Sequence, residues 1–294
     1  MTEPHSELRG GRRLDALTAI LACLAARHPR LAFTLASSAG AVRNRITSRW
    51  PAGDEVRALF PELSHRRAVR IAAAIGALEE RNDVLIRSVR RDGIGSVRPL
   101  VAVSGALRSL EAPCILVTFH VGAIHITSVA LEALDKPVLA FRHGAFFTPR
   151  PPIVMESTEG SEQQRAAAFI TARQYLKLGR FVVMALDAAP GATIVTECLG
   201  RPLALARGAF ALAGMTRAPI VPITVRWTRQ GAQADIDIPL APAEPSDSGA
   251  TAAVVELALA RAASSWLERY LRESPDQLSL GLLRELLYGV NIST

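Results

Sequence analysis

The spacing of apolar residues changes near residue 99. Before it, apolar positions recur every three or four residues, the period of a helix with one buried face. The stretches Leu14 to Ala26 and Leu31 to Val42 predict helices separated by turn breaks. LFPELSHRRAVRIAAAIGALEERNDVLIRSVRR (59–91) predicts a third helical stretch. Ser64 is placed to cap it, and Val69, Ile71, Ala72, Ile75 and Leu78 supply the apolar stripe. After Pro99 the apolar residues come instead in short unbroken runs: Ile115 to Phe119, Val138 to Phe141, Phe181 to Leu186 and Ile220 to Val225. Helical stretches, Ser161 to Leu178 and Arg207 to Met215, lie between them. Continuous apolar strands alternating with helices predict an α/β sheet covered on both faces. Residues 239–251, PLAPAEPSDSGAT, predict a loop, Ala252 to Leu271 a long amphipathic helix, and Leu280 to Leu287 a shorter one. The expected organisation is one domain over 1–294: an N-terminal helical layer (1–98) packed on an α/β core (99–294).

Composition narrows the class. Of 294 residues, 49% are hydrophobic, enough to bury a substantial core. Aromatics are only 5%, little material for stacking on bases, so no nucleic-acid partner is expected. The formal charge of +7 comes almost wholly from arginine, since Lys136 and Lys177 are the only lysines. That skew accompanies GC-rich coding, and it also suits phosphates, acidic lipids or an acidic carrier protein. Cys23, Cys114 and Cys198 are scattered and form neither a disulfide framework nor a zinc pattern. The apolar stretch from Ala16 to Ala26 is too short to span a bilayer and is closed by Arg27, His28 and Arg30. A cytoplasmic protein is expected, free or peripheral on the inner face of the cytoplasmic membrane.

One stretch carries candidate chemistry. In PCILVTFHVGAIHIT (113–127) an apolar run stops at His120, with Gly122 two positions on and His125 five positions on. Chemistry in open α/β sheets collects at the carboxyl ends of strands. An imidazole there can serve as a general base, or simply cap the strand. Gly122 leaves room for close backbone approach, and Ala123 onward predicts a helix start. A metal on His120 and His125 is not expected, because no third ligand stands at a familiar spacing.

CILVTFHVGAIHITSVALEAL (114–134) resembles the strand–histidine–helix block of the bacterial lipid A late acyltransferases, within the lysophospholipid acyltransferase superfamily. LFPELSHRRAVRIA is similar to the helix upstream of that block. Residues 176–227, LKLGRFVVMALDAAPGATIVTECLGRPLALARGAFALAGMTRAPIVPITVRW, resemble the family's second half, and PDQLSLGLLREL (275–286) its C-terminal segment. The resemblance runs from about Leu59 onward and rests on the order and spacing of blocks rather than on one motif. It implies a glycerolipid acyltransferase-type mixed sheet covered by helices. It also implies transfer of a fatty or related acyl group to a lipid or lipid-like acceptor. The donor would be an acyl carrier protein or coenzyme A thioester, with no further cofactor.

By the same resemblance His120 is the base. The family's acidic partner position holds His125, which cannot supply a negative charge to an imidazolium. Three readings follow: His125 or a carboxylate from elsewhere orients His120; the acceptor is an easier nucleophile such as an amine; or the chain is a non-catalytic subunit of the same fold. A small polyketide, peptide or amine of secondary metabolism is the alternative acceptor. Asp187, ending FVVMAL, is a candidate for the missing carboxylate, or a turn residue before Ala-Ala-Pro-Gly. Arg142 and Arg165 fall where the family tends to carry arginines, as candidates for phosphate or oxyanion contacts. Gly122, Gly200 and Arg207 complete the expected substrate-binding set, the last two in a loop leading to a helix N-terminus.

Overall fold

The computed structural model describes residues 16–25, 27–46, 52–142, 153–157, 161–187, 191–241 and 251–289. The described residues begin with four helices, α1 (16–25), α2 (Pro29–Ile46), α3 (Gly53–Leu59) and α4 (His65–Asp92). Helix α4 is the longest. The Ser64 hydroxyl accepts from the Arg67 N–H at 3.3 Å, which fixes its first turn. Ala68, Ile71, Ala72, Ile75, Leu78, Leu85 and Val89 give it a buried stripe along its whole length. The N-terminal helices are not a free layer. Thr18 of α1 donates to the fully buried carboxylate of Glu80 at 2.6 Å, and Leu21, Ala32 and Phe33 join α4 in the core beneath the sheet.

The rest of the chain builds the sheet and its cover: β1 (Val101–Val103), α5 (Gly105–Arg108), β2 (Cys114–Thr118), α6 (Thr127–Leu131), β3 (Val138–Arg142), β4 (Ile153–Ser157), α7 (Glu162–Lys177), β5 (Phe181–Ala185), β6 (Thr193–Cys198), β7 (Arg201–Ala206), α8 (Arg207–Thr216), β8 (Ile220–Trp227), β9 (Ala232–Ile236), α9 (Ala252–Glu273) and α10 (Leu280–Tyr288). Among the described residues, seven strands form one sheet in the order β1-β9-β8-β2-β5-β3-β4. All neighbours run parallel except β8 and β9, which are antiparallel. Strand β2 lies at the centre and is buried at all five positions, as a two-faced strand must be. Its side chains alternate: Ile115 and Val117 face the core shared with α3, α8, α9 and α10, while Cys114 and Leu116 face α1, α2 and α6. The sheet is thus mixed, parallel-dominated and covered on both faces.

The four expected strand runs all lie in this sheet, with ends shifted by one or two residues. The short strands β1, β4 and β9 lack the long apolar runs that marked the others. The segment after Asp187, read as a loop leading to a helix, instead contains a separate antiparallel hairpin, β6–β7. Its burial alternates residue by residue, because one face packs on α9 and the other meets solvent. The helix expected from Ala123 is broken into a 3₁₀ turn, Ile124–Ile126, and the five-residue α6. Of the expected loop 239–251, positions 242–250 lie outside the described residues.

Gly122 explains that break. Its φ is +59°, and a Cβ there would lie 2.3 Å from the carbonyl oxygen of Val225 in β8. The chain turns here because only glycine takes this conformation against a neighbouring backbone. Gly122→Ala is expected to lower stability by about 2–4 kcal/mol, combining left-handed strain with overpacking. Denaturant unfolding checks this, and an unchanged midpoint would contradict it.

Candidate active site

Strands β2 and β5 are adjacent, parallel and paired Thr118 to Ala185. Continuing that register two residues past each strand sets His120 opposite Asp187. The Leu186 N–H reaches the Thr118 carbonyl at 2.9 Å, so the pairing holds almost to the site itself. Two apolar strands therefore deliver one imidazole and one carboxylate to the same point on the carboxyl edge.

The two side chains are joined twice. The backbone N–H of His120 donates to Asp187 Oδ2 at 2.6 Å, and His120 Nδ1 lies 2.9 Å from Asp187 Oδ1. An ionised carboxylate only accepts, so Nδ1 carries the shared proton and Nε2 keeps its lone pair. The Asp187 side chain is 2% exposed, whereas that of His120 is 42% exposed. The carboxylate is sealed in, and the ring retains an open edge. The charge of Asp187 raises the His120 pKa above the usual imidazole value, against burial, which pulls it down. This arrangement holds a base in one tautomer and one orientation, and stabilises it once it has taken a proton.

The loop behind the ring is clamped by groups far away in sequence. The Gly122 N–H donates to the Gln277 carbonyl at 2.8 Å, and Ala123 N–H to Val225 O at 2.6 Å. Asn82 of α4 donates to the Gly122 carbonyl at 3.2 Å and accepts from the Trp227 indole at 3.0 Å. The Gln277 side chain bonds both the N–H and the carbonyl of Trp227. With its N–H committed to Gln277, Gly122 acts on this site through backbone shape.

His125 sits in the 3₁₀ turn, half-buried. Burial, with the nearby charge of His120, pulls its pKa down to about 4. It is therefore a neutral imidazole through the neutral range, and Asp187 occupies the orienting position on Nδ1. His125→Ala is expected to cost less than about tenfold in rate, well short of the roughly 10²–10⁴-fold of a general base. Steady-state kinetics checks this; a loss as large as that of a His120 variant would put His125 in the proton path.

The remaining sequence candidates fall in different places. Arg142 is the last residue of β3, opposite Ser157 of β4. Arg165 lies in the first turn of α7 and is half-buried. Arg207 opens α8, and its guanidinium is held by the buried carboxylate of Glu256 on α9. Gly200, with φ +69°, forms the tight turn of the β6–β7 hairpin with Leu199 at +53°. Six residues separate that turn from the hairpin base, about 20 Å along a strand. Glu132 pairs with Arg98 through two 2.7 Å hydrogen bonds, and Asp187 is the carboxylate bonded to His120.

Sequence reasoning missed Glu285 of α10. Burial and the charge of Asp187 push its pKa up to about 7, while His120 pulls the other way. Its proximity comes from tertiary packing of α10, and no local pattern marks it.

No protein-family model matches the chain, and no curated protein sequence matches it. Among solved structures it is similar to the 1-acyl-sn-glycerophosphate (LPA) acyltransferase PlsC from Thermotoga maritima. Identity is 16%, coverage is 86% of this chain and 99% of that one, and the TM-score is 0.37. Among the described residues, no helix is long and apolar enough to cross a membrane.

Proposed function

We propose that the protein is an acyltransferase in which His120 is the general base and Asp187 its orienting acid. The observation that carries this is the doubly bonded His120–Asp187 pair at the carboxyl edge, with the imidazole half-exposed and the carboxylate buried. A strand-end base needs an acceptor with a removable proton, and an oriented neutral imidazole suits a hydroxyl. The block order that resembles the lipid A late acyltransferases supports a thioester donor, on an acyl carrier protein or coenzyme A, and a lipid or lipid-like alcohol.

In the reaction, the acceptor oxygen attacks the thioester carbonyl while His120 Nε2 takes its proton. Asp187 stabilises the imidazolium. Collapse of the tetrahedral intermediate breaks the C–S bond, and the imidazolium returns its proton to the departing sulfur. The products are an ester and a free thiol. A carboxylate on His120 also weighs against a non-catalytic subunit, which has no need to bury an aspartate against a half-exposed histidine.

The test is incubation with acyl-carrier-protein and coenzyme A thioesters, with a lipid extract as acceptor pool, followed by mass spectrometry. New acyl esters with thiol release support the proposal. Absence of thiol release and of any acylated product with either donor would defeat it.

A further inference from the structure

A second feature lies near the same carboxyl edge. A shallow surface depression, open to solvent, is lined by Arg30 of α2, Arg81 of α4 and Arg229, which follows β8. Val225 bonds the loop after His120, and Thr228 in the cleft wall is three residues further on, about 10 Å along a strand. The cleft therefore neighbours the His120 edge without including it.

Among the described residues, no carboxylate lies within ion-pair reach of Arg30, Arg81 or Arg229. Arg81 is only partly exposed, and its guanidinium lies 5.5 Å from the centroid of the Trp227 ring. Its Nε–H donates to the Ser37 hydroxyl and one terminal N–H reaches the Thr228 carbonyl at 3.5 Å. A guanidinium has five N–H donors, so three remain. Burial lowers the Arg81 pKa, with Asp276 acting in the opposite direction from beyond ion-pair distance. A guanidinium held partly out of water, with a fixed plane and spare donors, is prepared to receive an anion.

We infer that this cleft is a binding site for a phosphate monoester. Three arginines line the depression, more positive charge than a single carboxylate balances, and the Arg81 guanidinium has donors to spare. A dianionic phosphate monoester presents three terminal oxygens, and Arg81 supplies a planar fork for two of them. Two sources carry this chemistry at such an edge: a lipid headgroup, or a soluble ester such as the 3′-phosphate of coenzyme A. The site stands independently of the acyl-transfer reading, because binding is read without turnover.

The test is calorimetric titration of the full chain at low salt with inorganic phosphate, succinate, coenzyme A and dephospho-coenzyme A. In parallel, phosphatidylcholine vesicles with and without phosphatidic acid are used for flotation. The Arg30→Gln/Arg229→Gln double variant is compared with Arg57→Gln/Arg66→Gln, which removes the same charge from exposed positions elsewhere. Phosphate binding is expected to weaken at least about tenfold in the cleft variant and to be nearly unchanged in the other. Coenzyme A binding well above dephospho-coenzyme A, lost in the cleft variant, identifies a soluble ester. Flotation only with phosphatidic acid, lost in the cleft variant, identifies a headgroup. The inference is overturned by no binding of any probe, by equal losses in both double variants, or by succinate binding as tightly as phosphate.

Discussion

His120→Ala is expected to lower acyl transfer by about 10²–10⁴-fold, the usual loss when a general base is removed. The fold should survive. The His120 ring is half-exposed, and the loop after it is held by backbone bonds from Gly122 and Ala123 to Gln277 and Val225, which the substitution leaves in place. The effect should fall on kcat, since the proton is transferred only as the transition state forms. Circular dichroism and a thermal melt establish that the variant is folded, and thiol release measures the rate. A folded variant turning over at the wild-type rate would remove His120 from the reaction.

Asp187→Asn should come close to that loss. The amide is nearly the same size but no longer stabilises an imidazolium. It can also present its N–H₂ to Nδ1, selecting the tautomer in which Nε2 bears the proton and cannot act as a base. A fall of about 10²–10⁴-fold is expected, bounded by the contribution of the base it serves. The pH profile separates this role from simple packing. In the wild type, Asp187 raises the His120 pKa, so the rate should decline as pH falls through that raised value. In the variant the charge is gone and burial remains, so the residual activity should decline at lower pH. Stability moves with the same group. A pKa raised on folding stabilises the protein below the unfolded value near 6.5, and that contribution fades as pH rises through the folded value. The variant should therefore lose stability most on the acid side of that window. An acidic limb that does not move would show that Asp187 is not coupled to His120 in solution.

Much of the scaffold was legible because long apolar runs and three- to four-residue spacing report burial directly. Strands β2, β3, β5 and β8 and helices α4, α7, α8 and α9 announced themselves this way. The hairpin β6–β7 did not, since a strand with one solvated face mixes apolar and polar residues. Strand β4 escaped for a similar reason: its five residues, IVMES, form a short edge strand. At the site, His120 was visible as a polar stop to an apolar run. Asp187 carried the same mark, VTFH in one strand and MALD in the other. What local sequence could not supply was the register that sets the two ends side by side. Proximity along the chain instead favoured His125, five positions away, over an aspartate on another strand. Glu285 left no trace, because its place depends on how α10 packs.

The division of the pair between two strands also bears on how the protein comes to exist. Base and acid stand 67 positions apart in the sequence. The connection between β2 and β5 passes through β3, which docks against β5 on its far side from β2. Neither fragment of the chain alone has the pair. It forms only when β2 and β5 pair at the centre of the sheet. The raised pKa of His120 thus serves as an internal reporter of assembly. A histidine titrating at its ordinary value marks a chain in which the ends of these two strands have not met.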